Sequence, residues 1–115
     1  MKKILAVLLV LIIATPIFAV DYNTMLQKAE EGNANAQFTL GYMYYHGIEV
    51  VQDYAAAAKW YRQSAKQDNA SAQYYLGYIY YSGQGVAQDY AEAAKWYRQA
   101  AAQGNADAQL NMGNM

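Results

Sequence analysis

Beyond residue 20 the apolar positions of this chain fall three and four residues apart, the spacing that gives a helix one buried face. Ala72, Leu76, Ile79 and Tyr80 make such a stripe, with Tyr75 beside Leu76, and Ser82-Gly83-Gln84-Gly85 ends it. A second stripe follows in Ala93, Ala94, Tyr97, Ala100 and Ala101, while Lys95, Arg98 and Ala102 lie opposite. The pattern predicts two helices joined by a short glycine-containing loop. Upstream, an uninterrupted apolar run from Ile4 to Ala14 has no such period.

The helix pair recurs. Residues 35–70 and 71–106 match without a gap at 24 of 36 positions. A further copy opens at Asp107, where Ala108, Gln109 and Gly113 align with Ala72, Gln73 and Gly77. Gly32-Asn33-Ala34 aligns with Gly104-Asn105-Ala106, so residues 20–34 read as the second helix of a truncated repeat. The expected organisation is that partial repeat, two whole repeats at 35–70 and 71–106, and a truncated start of another at 107–115. A lone hairpin of this size cannot bury its apolar side, so stacking of neighbours must stabilise it.

Local signals sharpen the elements. Asn69 is placed to cap the helix that carries Leu76, and Asp89 the one that carries Tyr97. Glu92, three residues after Asp89, predicts a capping box; Ala56 cannot complete the same box with Asp53, so that start is expected to be the weaker. Gly32 and Gly104 end helices where a left-handed backbone is favoured, and Asp68 fills the same place at a penalty of about 1 kcal/mol. Gly41 and Gly77 stand mid-helix, at a cost of roughly 1 kcal/mol relative to Ala. Their recurrence predicts close approach by the alanines at 55–58 and 91–94, with Tyr44, Tyr61, Tyr80 and Tyr97 filling the wider parts.

Composition narrows the chemistry. Eight Lys and Arg against nine Asp and Glu leave a formal charge of −1, without the basic footprint of a nucleic-acid binder. The absence of Cys removes disulfides, thiolate metal sites and cysteine nucleophiles, and the single His46 is a poor basis for a catalytic dyad or a metal site. Lys2 and Lys3, the apolar run, Pro16 and Ala19 describe a secretory signal peptide over residues 1–19, too short to span a membrane comfortably. The expected mature chain is exported, to a periplasm or beyond, and carries six basic and nine acidic residues.

The string Ala72-Gln73 … Leu76-Gly77 … Tyr80 … Gly83-Gln84-Gly85-Val86 … Asp89-Tyr90 … Ala93-Ala94-Lys95-Trp96-Tyr97 … Ala100-Ala101 … Gly104-Asn105-Ala106 resembles the Sel1-like repeat, a relative of the tetratricopeptide repeat. The copy from Ala36 to Ala70 carries the same string. Glu49 in place of the second loop glycine, Asp68 in place of the helix-ending one, and the halt at Met115 depart from the pattern. The resemblance implies an all-α, right-handed α-solenoid of stacked antiparallel helix pairs. It also implies a non-enzymatic adaptor for a protein or peptide partner, in a bacterial envelope or a eukaryotic secretory pathway. Some exported relatives are associated with penicillin binding or β-lactam hydrolysis, but those are cysteine-rich.

The sequence carries no nucleophile–base arrangement of an enzyme. None of Ser64, Ser71 and Ser82 is followed by Lys three residues on, and Gly83-Gln84-Gly85 lacks the third glycine and preceding strand of a phosphate loop. Glu30 with Glu31, and Asp89 with Glu92, are explained by helix-end solvation and capping; His46 suits a helix C-terminus. The expectation is no catalytic residue, no cofactor and no metal. The candidate partner site is a tyrosine ladder off the main apolar stripe: Phe38, Tyr42, Tyr45, Tyr74, Tyr78 and Tyr81. By the resemblance that face lines a concave groove, and the repeat predicts Phe38 beside Tyr74, Tyr42 beside Tyr78 and Tyr45 beside Tyr81. A second ladder, Lys59, Arg62, Lys66, Lys95 and Arg98, reads as a solvated outer face. The alternatives are a cell-wall-directed enzyme of the β-lactamase or penicillin-binding kind, which nitrocefin turnover would bring forward, and a repeat fragment without independent function. Self-association through Leu110 to Met115 is a further expectation; stable membrane insertion after signal cleavage is not expected.

Overall fold

The structure is a computed structural model and describes residues 21–115; the signal-peptide reading of residues 1–19 lies outside them. Six helices follow one another: α1 (Tyr22–Glu30), α2 (Ala34–His46), α3 (Tyr54–Lys66), α4 (Ala70–Ser82), α5 (Tyr90–Ala102) and α6 (Ala106–Asn114). There is no strand among the described residues.

Each helix starts where a short polar side chain precedes it. Asn33, Asn69 and Asn105 accept the N–H of Ala36, Ala72 and Ala108 at 2.9 Å. Asp53 and Asp89 accept that of Ala56 and Glu92 at 3.0 and 3.1 Å. One orphan donor at each start is thereby satisfied. The predicted capping box does not form. The Asp89 N–H already donates to the Tyr80 carbonyl at 2.9 Å, and the Glu92 carboxylate accepts from Trp96 Nε1 at 3.2 Å instead. Asp53 makes the equivalent backbone bond to Tyr44 at 2.9 Å, so the start without a Glu is capped just as the other is. Asp68 does adopt the left-handed backbone expected of it, with φ 64°.

The helices pair antiparallel and stack, α2 on α3 and α4 on α5, with the core threaded between pairs. One cluster joins Ala57, Ala58, Tyr61 and Ala65 of α3 to Ala72, Leu76 and Ile79 of α4 and Trp96 of α5. A second holds Ala29, Ala36, Leu40 and Met43, and a third Ala93, Tyr97, Ala100 and Ala108. Every cluster draws on more than one repeat, so burial is shared between neighbours.

Two devices lock the stack. The first is the mid-helix glycine, which receives a tyrosine rather than alanines. A Cβ on Gly41 would lie 2.6 Å from Tyr61 Cδ1, and one on Gly77 would lie 2.7 Å from Tyr97 Cδ1. Both rings are essentially unexposed, at 0% and 1%. The second is a pair of buried glutamines. Gln37 donates back to the Ala29 carbonyl at 3.1 Å and accepts from Gln67 at 2.9 Å. Gln73 repeats both bonds with Ala65 and Gln103 at the same distances. Satisfied in this way, each amide ties a helix to the end of the preceding one without leaving an unpaired buried group.

Candidate functional site

The face to consider is built by α2 and α4, because their opposite sides are spent on the core. The structure divides the six ladder residues in two. Tyr42, Tyr78 and Tyr81 are exposed, at 37%, 38% and 40%, and their hydroxyls make no hydrogen bond among the described residues. Phe38, Tyr45 and Tyr74 are half-buried. Phe38 leans on Tyr61 with ring centroids 5.7 Å apart, and Tyr74 on Tyr97 at 5.9 Å. Tyr45 donates its hydroxyl to Gln84 Oε1 at 3.0 Å, from the loop of the next repeat. The equivalent Tyr81 makes no such bond among the described residues and is more exposed.

The predicted pairing of rings one repeat apart is replaced by a hub. Tyr75 lies 5.9 Å from Phe38, 6.1 Å from Tyr42 and 6.0 Å from Tyr45, and stacks on Tyr61 at 5.2 Å with 13° between planes. On this face the ring-to-ring contact between the two whole repeats therefore runs through Tyr75. The sequence carried a signal for this: Thr39, Tyr75 and Asn111 share one repeat position, yet only one of them is aromatic. His46 adds to the exposed surface, its ring 4.2 Å from Tyr42 at the C-terminal end of α2. Tyr54 and Tyr90, also outside the expected ladder, flank Tyr45 and Tyr81 at 5.1 and 5.2 Å.

Burial governs the phenols' ionisation. Desolvation pushes the Tyr61 hydroxyl upward and raises Tyr97 to about 12; for Tyr45 and Tyr75 it also raises the value. Tyr44 is raised to about 12, first by its hydrogen bond with Tyr22, at 2.8 Å, and then by burial. These tyrosines are neutral near pH 7 and act as rings and hydrogen-bonding groups.

The cationic ladder lies on the other helices of each pair. Lys59 and Lys95 sit over Trp60 and Trp96 at 5.8 and 5.0 Å, and Arg62 over Tyr80 at 5.6 Å, where it also donates to the hydroxyl. Lys95 pairs with Glu92 at 4.0 Å. Those charges cover aromatic surface rather than converge on a common point. Among the described residues no three His, Asp or Glu side chains gather as a metal site would require.

Comparison with known proteins agrees with this geometry. The Sel1 repeat family model matches residues 34–69 and 70–105. Over 67 residues, 55% of this chain, the sequence is 42% identical to the secretory immunoglobulin A-binding protein EsiB of Escherichia coli O6:H1, and covers 14% of it. Among solved structures, the fold is similar to c5321, a protective antigen present in uropathogenic Escherichia coli strains that displays an SLR fold. That match has a TM-score of 0.79 and 46% identity over 84% of this chain and 21% of the other. A Sel1 repeat protein from Oxalobacter formigenes superposes with a TM-score of 0.77 and 40% identity, covering 79% of this chain and 68% of that one. The cysteine-rich protein B of Helicobacter pylori follows at 0.72 and 28%, covering 76% and 65%. The chain thus spans about a fifth or less of the two Escherichia coli relatives.

Proposed function

The chain belongs to the Sel1 repeat family, and from that premise we propose that it is an exported, non-enzymatic adaptor whose α2–α4 face holds a protein or peptide partner. Proteins of this family commonly mediate protein–protein interaction and are generally non-catalytic scaffolds. The observation that carries the reading is the exposure of Tyr42, Tyr78 and Tyr81 on one face with their hydroxyls unengaged among the described residues. Phe38, Tyr45 and Tyr74, half-buried around them, brace the exposed rings. A rigid aromatic with a polar tip supplies contact area at small cost in side-chain entropy, and such residues dominate interface energies. The order 1–19 signal peptide, 20–34 partial repeat, 35–70 and 71–106 repeats and 107–115 opening of another is part of the proposal. Export is supported by Lys2, Lys3 and the apolar run before Pro16. No helix among the described residues is long and apolar enough to cross a membrane.

A photo-crosslinking residue placed at Tyr42 or Tyr78, and as a control at Lys59 or Lys95, tests the proposal in extracts of the protein's own cells. Discrete adducts from positions 42 and 78, absent from 59 and 95, support it. Adducts at 42 and 78 no stronger than at the control positions overturn it. One relative's name carries binding of secretory immunoglobulin A, which makes that immunoglobulin the first purified partner to try.

A further inference from the structure

A cavity opens beside the second whole repeat. It is about 140 Å3 in volume and is lined by Tyr78, Tyr81, Tyr97, Asn111, Asn114 and Met115. The repeat explains its origin. Tyr75 lies against Phe38, Tyr42, Tyr45 and Tyr61. One repeat on, those four positions are Tyr74, Tyr78, Tyr81 and Tyr97, and the place of Tyr75 is taken by Asn111. Three of those four residues, with Asn111, line the cavity. The short amide reaches the Tyr97 hydroxyl at 3.3 Å but leaves the volume of the ring unfilled. The cavity is the socket of Tyr75 without its tyrosine.

We propose that this socket binds a tyrosine side chain presented by the partner, in the manner in which the chain's own Tyr75 fills the equivalent place one repeat earlier. The inference rests on the adaptor reading above and names the anchor it uses. The surrounding groups suit a phenol. Tyr78 and Tyr81 offer ring faces or edges, the Met115 thioether is a soft apolar contact, and the amides of Asn111 and Asn114 can pair with a hydroxyl. No Lys, Arg, His, Asp or Glu side chain lines the cavity, so its lining offers an ionic side chain no charged partner. An aliphatic side chain would fill the space yet leave the amides unanswered.

The probe is N-acetyl-L-tyrosinamide, titrated into the isotope-labelled full chain and followed by the side-chain amide signals of Asn111 and Asn114, with N-acetyl-L-leucinamide as the control. Saturable shifts confined to the socket, with affinity for the tyrosine probe about tenfold above the leucine one, are expected. Asn111→Tyr supplies the missing ring from within and should abolish the shifts at the remaining socket residues while keeping the helical circular dichroism spectrum. Should that variant fold poorly, Tyr81→Ala, at an exposed position, should weaken the probe by about tenfold. Equal affinity for the leucine probe, shifts elsewhere on the chain, or indifference to both substitutions overturns the proposal. Self-association of the chain that Asn111→Tyr abolishes also overturns it, in favour of a second copy as occupant. Failure of the socket leaves crosslinking at Tyr42 untouched, whereas failure of the adaptor reading removes that as well.

Discussion

The same substitution at equivalent glycines of two repeats should have opposite signs. In Gly77→Ala the new Cβ would stand 2.7 Å from Tyr97 Cδ1 and 2.9 Å from Cε1, where ordinary contact begins at 3.4 Å. The first overlap is therefore 0.7 Å, against a ring that is 1% exposed and cannot swing into solvent. Forcing an extra carbon into a packed site costs about 1–3 kcal/mol, while replacing a mid-helix Gly by Ala returns about 1 kcal/mol of helix propensity. A 0.7 Å overlap with a ring that cannot move places the cost in the upper half of that range, so the net loss is about 1–2 kcal/mol, or about 4–16 °C in Tm for a chain of this size. Gly113 holds the matching place in α6, and a Cβ there meets nothing within 4 Å. Only the propensity gain remains, so Gly113→Ala should raise stability by up to about 1 kcal/mol. Thermal melting followed at 222 nm, with urea titration to check the slope, measures both. A Gly77→Ala protein that melts at or above the unaltered chain would refute the idea that the tyrosine notch closes each hairpin.

Three further outcomes follow from the same packing. Gln73→Leu keeps size but gives up the bonds to the Ala65 carbonyl, which retains the Asp68 N–H, and to the exposed Gln103 amide, so urea titration should register a loss of about 0.5–1.5 kcal/mol. Tyr61→Phe removes a buried hydroxyl that has no partner and should stabilise by about 1 kcal/mol, whereas Tyr97→Phe gives up the bond from Asn111 and should not. Tyr44 and Tyr97 titrate near 12 when folded against 10 as free side chains, so the unfolded chain releases its protons first. Their contribution to stability is complete below pH 10 and is lost as pH rises toward 12; tyrosinate absorbance near 295 nm should rise together with loss of helix.

The repeat and the helix ends were legible because they rest on local chemistry. Asn69 and Asp89 cap by reaching their own backbone three residues on, and Asp68 turns left-handed because the next helix must start at Ala70. Where the structure differs, a second partner competes for the same group, and the cap pattern alone does not rank the two. The Asp89–Glu92 box was lost to the Tyr80 carbonyl on one side and the Trp96 indole on the other, neither of which is adjacent in sequence. The recurring glycines mark the notches, but Tyr61 and Tyr97 rather than alanines occupy them, because both residue types lie on the facing stripe and only geometry distinguishes them. Within the ladder, exposure separates Tyr42, Tyr78 and Tyr81 from the half-buried Phe38, Tyr45 and Tyr74, while Tyr75 of the apolar stripe stacks on Tyr61 across the repeat boundary. Its place at a ring that the first whole repeat replaces by Thr39 is the readable clue, and Asn111 is where that break leaves a socket.

The most direct test of the account is the affinity of the full chain for its crosslinked partner before and after the paired change Tyr42→Ala and Tyr78→Ala. Because both rings are already exposed, the helical spectrum and melting point should hold while affinity falls by about tenfold or more. Unchanged affinity in a protein that folds as before would contradict the assignment of this face to the partner.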